Sequence, residues 1–189
     1  LQNPGAGRAA VLGDVSRRVP EVLRAEVRPA GRPLLLERQV RVEGAAVLDL
    51  FAGTGAVGLE ALSRGAARSV FVERDRTAAR LVEANCEALC GSSERVRVLH
   101  RSVQRALAEL GSSGERFSLA WADPPFDSWQ EGLEALAAAF SDGLLEPDAT
   151  ACLECPARAN VEGALPEWLR VERDLAGGAS RVVLLRRRG

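Results

Sequence analysis

One short motif, Asp123-Pro124-Pro125-Phe126, joins a carboxylate, two rigid residues and an aromatic ring. An exocyclic amino group on a nucleobase is a poor nucleophile, because its lone pair is delocalised into the ring. The Asp123 carboxylate and the Pro124 carbonyl can accept the two amino hydrogens and so aim the lone pair at an electrophile. Phe126 offers a flat apolar face on which a base can stack. The pattern therefore favours chemistry on an amino group, although a proline-rich turn after a strand has the same composition.

A glycine-rich turn lies upstream, where an apolar run from Val47 leads through Asp49 into Gly53-x-Gly55-x-x-Gly58. Glycines tolerate positive φ and have no Cβ, so the backbone can turn sharply and approach a ligand. The spacing also matches the dinucleotide fingerprint, and Glu73 lies where that fingerprint places its ribose acid. The turn alone leaves the cofactor open. A carboxylate at Asp49 and the later Asp-Pro-Pro-Phe motif shift the choice towards S-adenosylmethionine, whose sulfonium is cationic.

The elements that position these residues alternate between strand and helix from residue 46 onwards. Predicted strands cover 46–51, 69–73, 95–99, 117–122 and 149–154, with a closing hairpin of 169–175 and 180–187 turning at Gly177-Gly178. Predicted helices cover 56–64 and 75–90, a third is capped by Ser102 and closed by Gly111, and a fourth starts from a Ser128-to-Glu131 capping box. This alternation predicts a mostly parallel sheet with helices on both faces.

Three of the acids follow strands of this predicted sheet: Asp49, Glu73 and Asp123. In a parallel sheet, ligands bind beyond the carboxyl ends of the strands. Each acid alone is an ordinary turn or helix-cap residue. Their convergence on one edge is the reason to treat them as a site.

Length and composition bound the remaining possibilities. The 189 residues, 47% of them hydrophobic, suit one α/β domain. We expect that domain at 46–189, preceded by an arm at 1–45. No apolar run reaches membrane-spanning length and no leader pattern opens the chain, so we expect a soluble, cytoplasmic protein. The net charge is −1, with basic ends around an acidic centre, which suits a nucleic-acid backbone no better than a solvated surface.

Cysteines and histidine do not suggest a metal. The pairs Cys86/Cys90 and Cys152/Cys155 are far apart, and the second would point to opposite faces of a strand. Reduced thiols that fill apolar space are the favoured interpretation. His100, the one histidine, is expected to be a partly buried residue or a neighbour of the donor adenine.

The run from 47 to 65, containing Phe-Ala-Gly-Thr-Gly-Ala-Val-Gly-Leu-Glu-Ala-Leu-Ser-Arg-Gly, resembles RsmD-type bacterial 16S ribosomal RNA guanine-N2 methyltransferases. The resemblance extends from about residue 46 to the end and is strongest over 47–90 and 121–126. It implies a Rossmann-like class I methyltransferase fold with seven strands. It also implies transfer of a methyl group from S-adenosylmethionine to guanine N2, with ribosomal RNA or the small ribosomal subunit as partner.

The resemblance also assigns roles to residues. The donor would be held by a cofactor-binding set, and the target amino group by Asp123, Pro124 and Phe126. The cofactor-binding set is Asp49, Phe51, Gly53, Thr54, Gly55, Glu73 and Ser102. Ser102 stands where the family usually has Asp or Asn. The resemblance also implies that the arm at 1–45 contacts RNA, although only Arg28-Pro29 there clearly matches the family's Arg-Pro-Thr stretch.

Other functions remain open from the sequence. Variants of the same loop serve amino methyltransferases that act on DNA adenine or on protein glutamine, although the protein enzymes usually carry Asn in place of Asp123. The Gly-x-Gly-x-x-Gly spacing leaves a non-catalytic NAD- or RNA-binding module as an alternative from another class.

Overall fold

The computed structural model describes residues 40–91 and 93–189. The predicted arm at 1–45 lies mostly outside the described residues, as does the Arg28-Pro29 match. Its last residues are described, and Val40, Val42 and Ala45 are buried against the core.

Strands and helices alternate as the sequence predicts. The strands are β1 Ala46–Leu50, β2 Arg68–Glu73, β3 Val96–His100, β4 Phe117–Ala122, β5 Leu145–Pro156, β6 Leu169–Gly177 and β7 Ser180–Arg187. The helices are α1 Ala56–Ser63, α2 Arg76–Cys90, α3 Val103–Ser112 and α4 Trp129–Ser141, with single 3₁₀ turns at Phe126–Ser128 and Glu162–Ala164.

The seven strands form one sheet in the order β3-β2-β1-β4-β5-β7-β6. β1 to β5 are parallel, and β7 pairs antiparallel with both β5 and β6. The strand order reverses between β1 and β4, since β1 continues to β2 on one side and the chain returns to β4 on the other. That switch point is where an open α/β sheet forms a ligand crevice.

Alternate residues of the strands build two cores, one on each face of the sheet. Leu48 and Leu50 face α3 and α4, whereas Val47 faces α1 and α2. Cys155 and Cys152 fall in these two different cores, so the prediction that the pair points to opposite faces is confirmed. All four cysteines are free thiols.

Two local predictions were wrong, and a third was wrong in part. Ser128 precedes α4, but its side chain makes no capping hydrogen bond, because a 3₁₀ turn leads directly into the helix. α3 continues through Gly111 to Ser112, since nothing in an α-helix requires glycine to end it. His100 is exposed at the end of the edge strand β3, which overturns the partly buried one of its two expected positions.

The turn of the closing hairpin was predicted one residue too early. β6 continues through Gly177, which pairs with Ser180, so the turn falls at Gly178 and Ala179 instead of at Gly177-Gly178.

Across the described residues, no helix is both long enough and apolar enough to cross a bilayer.

Candidate active site

The loop after β1 is shaped by residues with positive φ. Gly53 (φ 56°) and Gly55 (φ 79°) are joined by Phe51 (φ 61°), which among the described residues is the one non-glycine with positive φ. Left-handed backbone at a bulky residue costs of order 1–3 kcal/mol and tends to occur at ligand sites. The loop is held to β2 by the Ala52 amide, which donates to the Val72 carbonyl over 2.9 Å.

Gly58 allows α1 to lie against the sheet. A Cβ at this position would stand 2.3 Å from Phe71 Cε1 and 2.6 Å from Ser69 Oγ. The third glycine of the sequence pattern therefore serves close packing of the helix on β2. This contact directs the start of α1, and the turn before it, towards the sheet's carboxyl edge.

Glu73 links the glycine loop to the end of β2. Its Oε2 accepts from the Gly53 amide over 2.8 Å and its Oε1 from the Asp75 amide over 2.7 Å. Asp75, not Glu73, caps α2, since its carboxylate accepts from the Thr77 and Ala78 amides. Each Glu73 oxygen keeps a second lone pair for a ligand hydroxyl.

Asp49 lies behind the loop instead of in the open cavity. The residue is 2% exposed, and its Oδ2 accepts from the Gly58 amide over 3.0 Å. Burial raises the pKa of this carboxyl to about 8; the Gly58 hydrogen bond opposes that rise, and the nearby carboxylates of Asp123 and Glu73 add to it. A buried acid with this pKa is sensitive to positive charge placed nearby.

The Asp123-to-Phe126 loop is anchored at its first proline. Pro124 is buried, and a Cβ on Gly132 of α4 would come within 2.8 Å of Pro124 Cγ, so glycine permits this packing. Asp123 and Pro125 are exposed. Phe126 is 39% exposed, and it is the only large hydrophobic side chain found exposed among the described residues.

A cavity of about 430 Å³ joins these features at the carboxyl edge of β1, β2, β3 and β4. Seven of the ten predicted site residues line it: Phe51, Gly53, Glu73, Ser102, Asp123, Pro124 and Phe126. The other three, Asp49, Thr54 and Gly55, are not among its lining residues. The two motifs, 70 residues apart in the chain, thus face one space.

The structure adds residues that the sequence did not single out. Arg74, Gln104 and Glu131 also line the cavity. Asn85 is buried in α2, and its Nδ2 donates to the Thr54 carbonyl over 3.0 Å, which fixes the glycine loop from below. An Asn at a helix position that otherwise faces the core was the available signal for Asn85. The available signal for Arg74 and Gln104 was their position shortly after the ends of β2 and β3.

Ser102 combines two positions, at the cavity wall and at the start of α3. Its hydroxyl accepts from the Arg105 amide, confirming it as the helix cap.

The cavity suits a cationic nucleoside ligand. Its volume falls in the range of about 300–1,000 Å³ typical of small-molecule sites. Among the described residues that line it, the carboxylates of Glu73, Asp123 and Glu131 outnumber the one guanidinium, that of Arg74. Gly53 has no atom within 4 Å of the place where a Cβ would stand, so its backbone is open to the space. The residues therefore fit S-adenosylmethionine, which pairs a ribose with a sulfonium.

No group of three or more His, Cys, Asp or Glu side chains within 40–91 and 93–189 is arranged to hold a metal ion.

The chain has the class I methyltransferase fold. Its sheet order, with the reversal between β1 and β4, and the cavity at the carboxyl edge are those of this fold. Residues 25–185 match the model of the family described as "Conserved hypothetical protein 95". The chain belongs to this family, the RsmD-type methyltransferases, for which S-adenosylmethionine is the cofactor.

Individual relatives agree with this assignment. The chain is 29% identical over 161 residues to Ribosomal RNA small subunit methyltransferase D of Haemophilus influenzae, covering 82% of each chain. It is 34% identical over 121 residues to the protein of the same name from Escherichia coli K12, covering 63% of this chain and 55% of the relative.

Solved structures show the same fold. A Haemophilus influenzae structure superimposes with a TM-score of 0.67 at 26% identity, covering 93% of this chain and 99% of that one. A structure solved with S-adenosylhomocysteine superimposes with a TM-score of 0.63 at 13% identity, covering 77% and 46% of the two chains, and shows the shared fold alone.

Proposed function

We propose that the chain transfers a methyl group from S-adenosylmethionine to the exocyclic N2 of a guanine in small-subunit ribosomal RNA. The observation that carries the proposal is the single cavity shared by the glycine loop, Glu73 and the Asp123-to-Phe126 loop. The names of the relatives, ribosomal RNA small subunit methyltransferases, support the acceptor class.

Glu73 and the glycine loop hold the donor. The free lone pairs of Glu73 accept the two ribose hydroxyls, while its bonds to the Gly53 and Asp75 amides keep the carboxylate fixed. Phe51, Thr54 and Gly55 shape the loop, and Ser102 borders the donor at the start of α3. Asp49 acts from beneath the loop. Its carboxyl is neutral without the donor and ionises when the cationic ligand lowers its pKa, so that its charge then balances that of the ligand.

Asp123 and Pro124 orient the acceptor. When bound, S-adenosylmethionine supplies an electrophilic methyl group on a good leaving group, so alignment of the nucleophile supplies most of the rate. The Asp123 carboxylate and the Pro124 carbonyl accept the two N2 hydrogens and direct the nitrogen lone pair towards the methyl carbon. With the thioether as leaving group, the proton that N2 loses on accepting the methyl group would pass to the Asp123 carboxylate or to water.

Phe126 provides the surface on which the guanine stacks. An aromatic side chain that is exposed to solvent lowers solubility, and here, next to a carboxylate, it offers a surface on which a nucleobase can stack. Buried Pro124 keeps this loop in register with α4, so the ring and the carboxylate hold their relative position.

Labelled methyl transfer to small ribosomal subunits that lack the modification tests the acceptor. After digestion of the RNA to nucleosides, the label should elute as N2-methylguanosine. Label in methyladenosine, in DNA or in a ribosomal protein would contradict the proposal.

Donor binding is tested separately by thermal unfolding. S-adenosylhomocysteine should raise the melting temperature because it binds the folded state alone. Glu73→Ala should abolish the rise, whereas NAD should produce none with the unaltered chain. Stabilisation by NAD would favour the dinucleotide alternative.

A further inference from the structure

A second groove begins where the donor cavity ends. Its volume is about 740 Å³, and Phe126 lines both spaces. It extends from the 3₁₀ turn and the start of α4 across to the loop that follows β5. The groove is larger than the cavity of about 430 Å³, so it has room for a nucleotide.

The loop on the far side of this groove is firmly held. Its turn closes through the Ala159 amide, which donates to the Pro156 carbonyl over 2.9 Å, and Ala157 donates to Ala179 in the β6–β7 turn over 3.0 Å. The Arg181 guanidinium donates to the Ala159 carbonyl as well. These bonds give the groove a preformed wall, which lowers the ordering cost of binding.

The side chains that this wall and α4 present suit a nucleotide. Arg158 is exposed and forms no hydrogen bond or ion pair with the described part of the chain. Trp129 is half-buried and contributes an aromatic ring, while Gln130 and Asn160 contribute amides. Asp127 is the one acid among the described residues of the lining. Its carboxylate can accept an N–H from a base edge and repels a phosphate.

We infer that this groove binds the nucleotide next to the target guanine in a single strand of RNA, with Arg158 on its phosphate. The inference rests on the proposed function, since the target guanine would stack on Phe126 with the donor on the β1–β3 side. The neighbouring nucleotide then continues past Phe126 towards β5, where the guanidinium, the aromatic ring and the amides are. A guanidinium binds phosphate in a bidentate geometry, and aromatic rings bind any base.

The test compares Arg158→Ala with Arg80→Ala, an exposed arginine on α2 that is absent from the groove lining. Binding of a short fluorescent single-stranded RNA carrying the mapped guanine is measured over a range of salt concentrations. Methyl transfer to small subunits is measured alongside. Arg158→Ala should weaken RNA binding and raise the acceptor KM about tenfold, leaving kcat and S-adenosylhomocysteine affinity unchanged.

Salt dependence separates a phosphate contact from a structural effect. Loss of one phosphate contact should reduce the slope of log affinity against log salt by about 0.7 for a single strand. Arg158→Lys should restore that slope because it keeps the charge. Arg80→Ala should match the unaltered chain in both measurements.

The outcomes separate the two proposals. If the unaltered chain methylates the RNA but Arg158→Ala behaves as Arg80→Ala does, the groove assignment is overturned and the proposed function stands. If no RNA is methylated yet binding depends on Arg158 with the stated slope, the proposed function fails; of the groove assignment, the contact of Arg158 with an RNA phosphate stands and the neighbouring target guanine is overturned. If the RNA neither binds nor is methylated, both are overturned.

Discussion

Replacing Asp49 with Asn should change how the stability of the protein depends on pH. In the folded chain, burial raises the pKa of this carboxyl from 3.8 to about 8. In the unfolded chain, the carboxyl returns to its ordinary pKa. Between these two values the folded state therefore holds a proton that the unfolded state has released, and the free energy of unfolding falls as pH rises.

The size of this effect follows from the interval between the pKa values of the unfolded and the folded chain. One pH unit within it corresponds to about 1.4 kcal/mol, so raising the pH from 5 to 8 should remove roughly 4 kcal/mol of stability. The amide introduced by Asp49→Asn keeps an oxygen to accept from the Gly58 amide but cannot ionise. The Asp49→Asn chain should match the unaltered chain near pH 4 and become progressively more stable than it up to about pH 8.

Urea unfolding followed by circular dichroism, in the absence of donor, measures the difference at each pH. Asp148→Asn is the matched control, because it makes the same substitution at an exposed position in β5. Parallel pH profiles for the unaltered chain and Asp49→Asn would refute the argument that Asp49 is buried as a neutral acid beneath the loop.

Two further perturbations test the packing and the acceptor surface. Gly58→Ala should lower the free energy of unfolding by about 1–3 kcal/mol, measured in urea, because the new Cβ would stand 2.3 Å from Phe71. Gly111→Ala is the control: its Cβ would have nothing within 4 Å, so the change should be neutral or stabilising. Equal effects would contradict the packing role of Gly58. Phe126→Leu should lower kcat/KM for the RNA roughly 5- to 150-fold through lost stacking, with little change in the urea midpoint of unfolding. Phe126→Tyr should keep most of the activity, so equal activity of the two variants would contradict stacking.

The fold could be predicted because the apolar pattern, the helix caps and the turn residues of the sequence all indicate the same elements. Apolar strands, capped helices and a glycine pair between the last two strands indicated a mostly parallel sheet with a closing hairpin. The structure has that sheet, with the hairpin turn one residue later than predicted. The strand order β3-β2-β1-β4 then brings the residues after β1, β2 and β4 to one edge. This explains why Glu73 and Asp123 line the same cavity.

The sequence could not specify in which direction side chains point near the ends of the strands. Asp49 alternates with Leu48 and Leu50, so its carboxyl points beneath α1 towards the Gly58 amide and not into the cavity. The 3₁₀ turn at Phe126–Ser128 displaced the capping box predicted at Ser128, because the proline loop dictates how the chain enters α4. Asn85 was missed because its partner is a backbone carbonyl 31 residues away.

The most direct test of the central claim is a paired measurement on Asp123→Ala, with Asp148→Ala as control. S-adenosylhomocysteine affinity is determined by calorimetry, and single-turnover methyl transfer to small ribosomal subunits is determined with labelled donor. If one cavity holds the donor on Glu73 and the acceptor on Asp123, Asp123→Ala should retain donor binding and lose methyl transfer. Retained transfer, or loss of donor binding together with transfer, would contradict that division of roles.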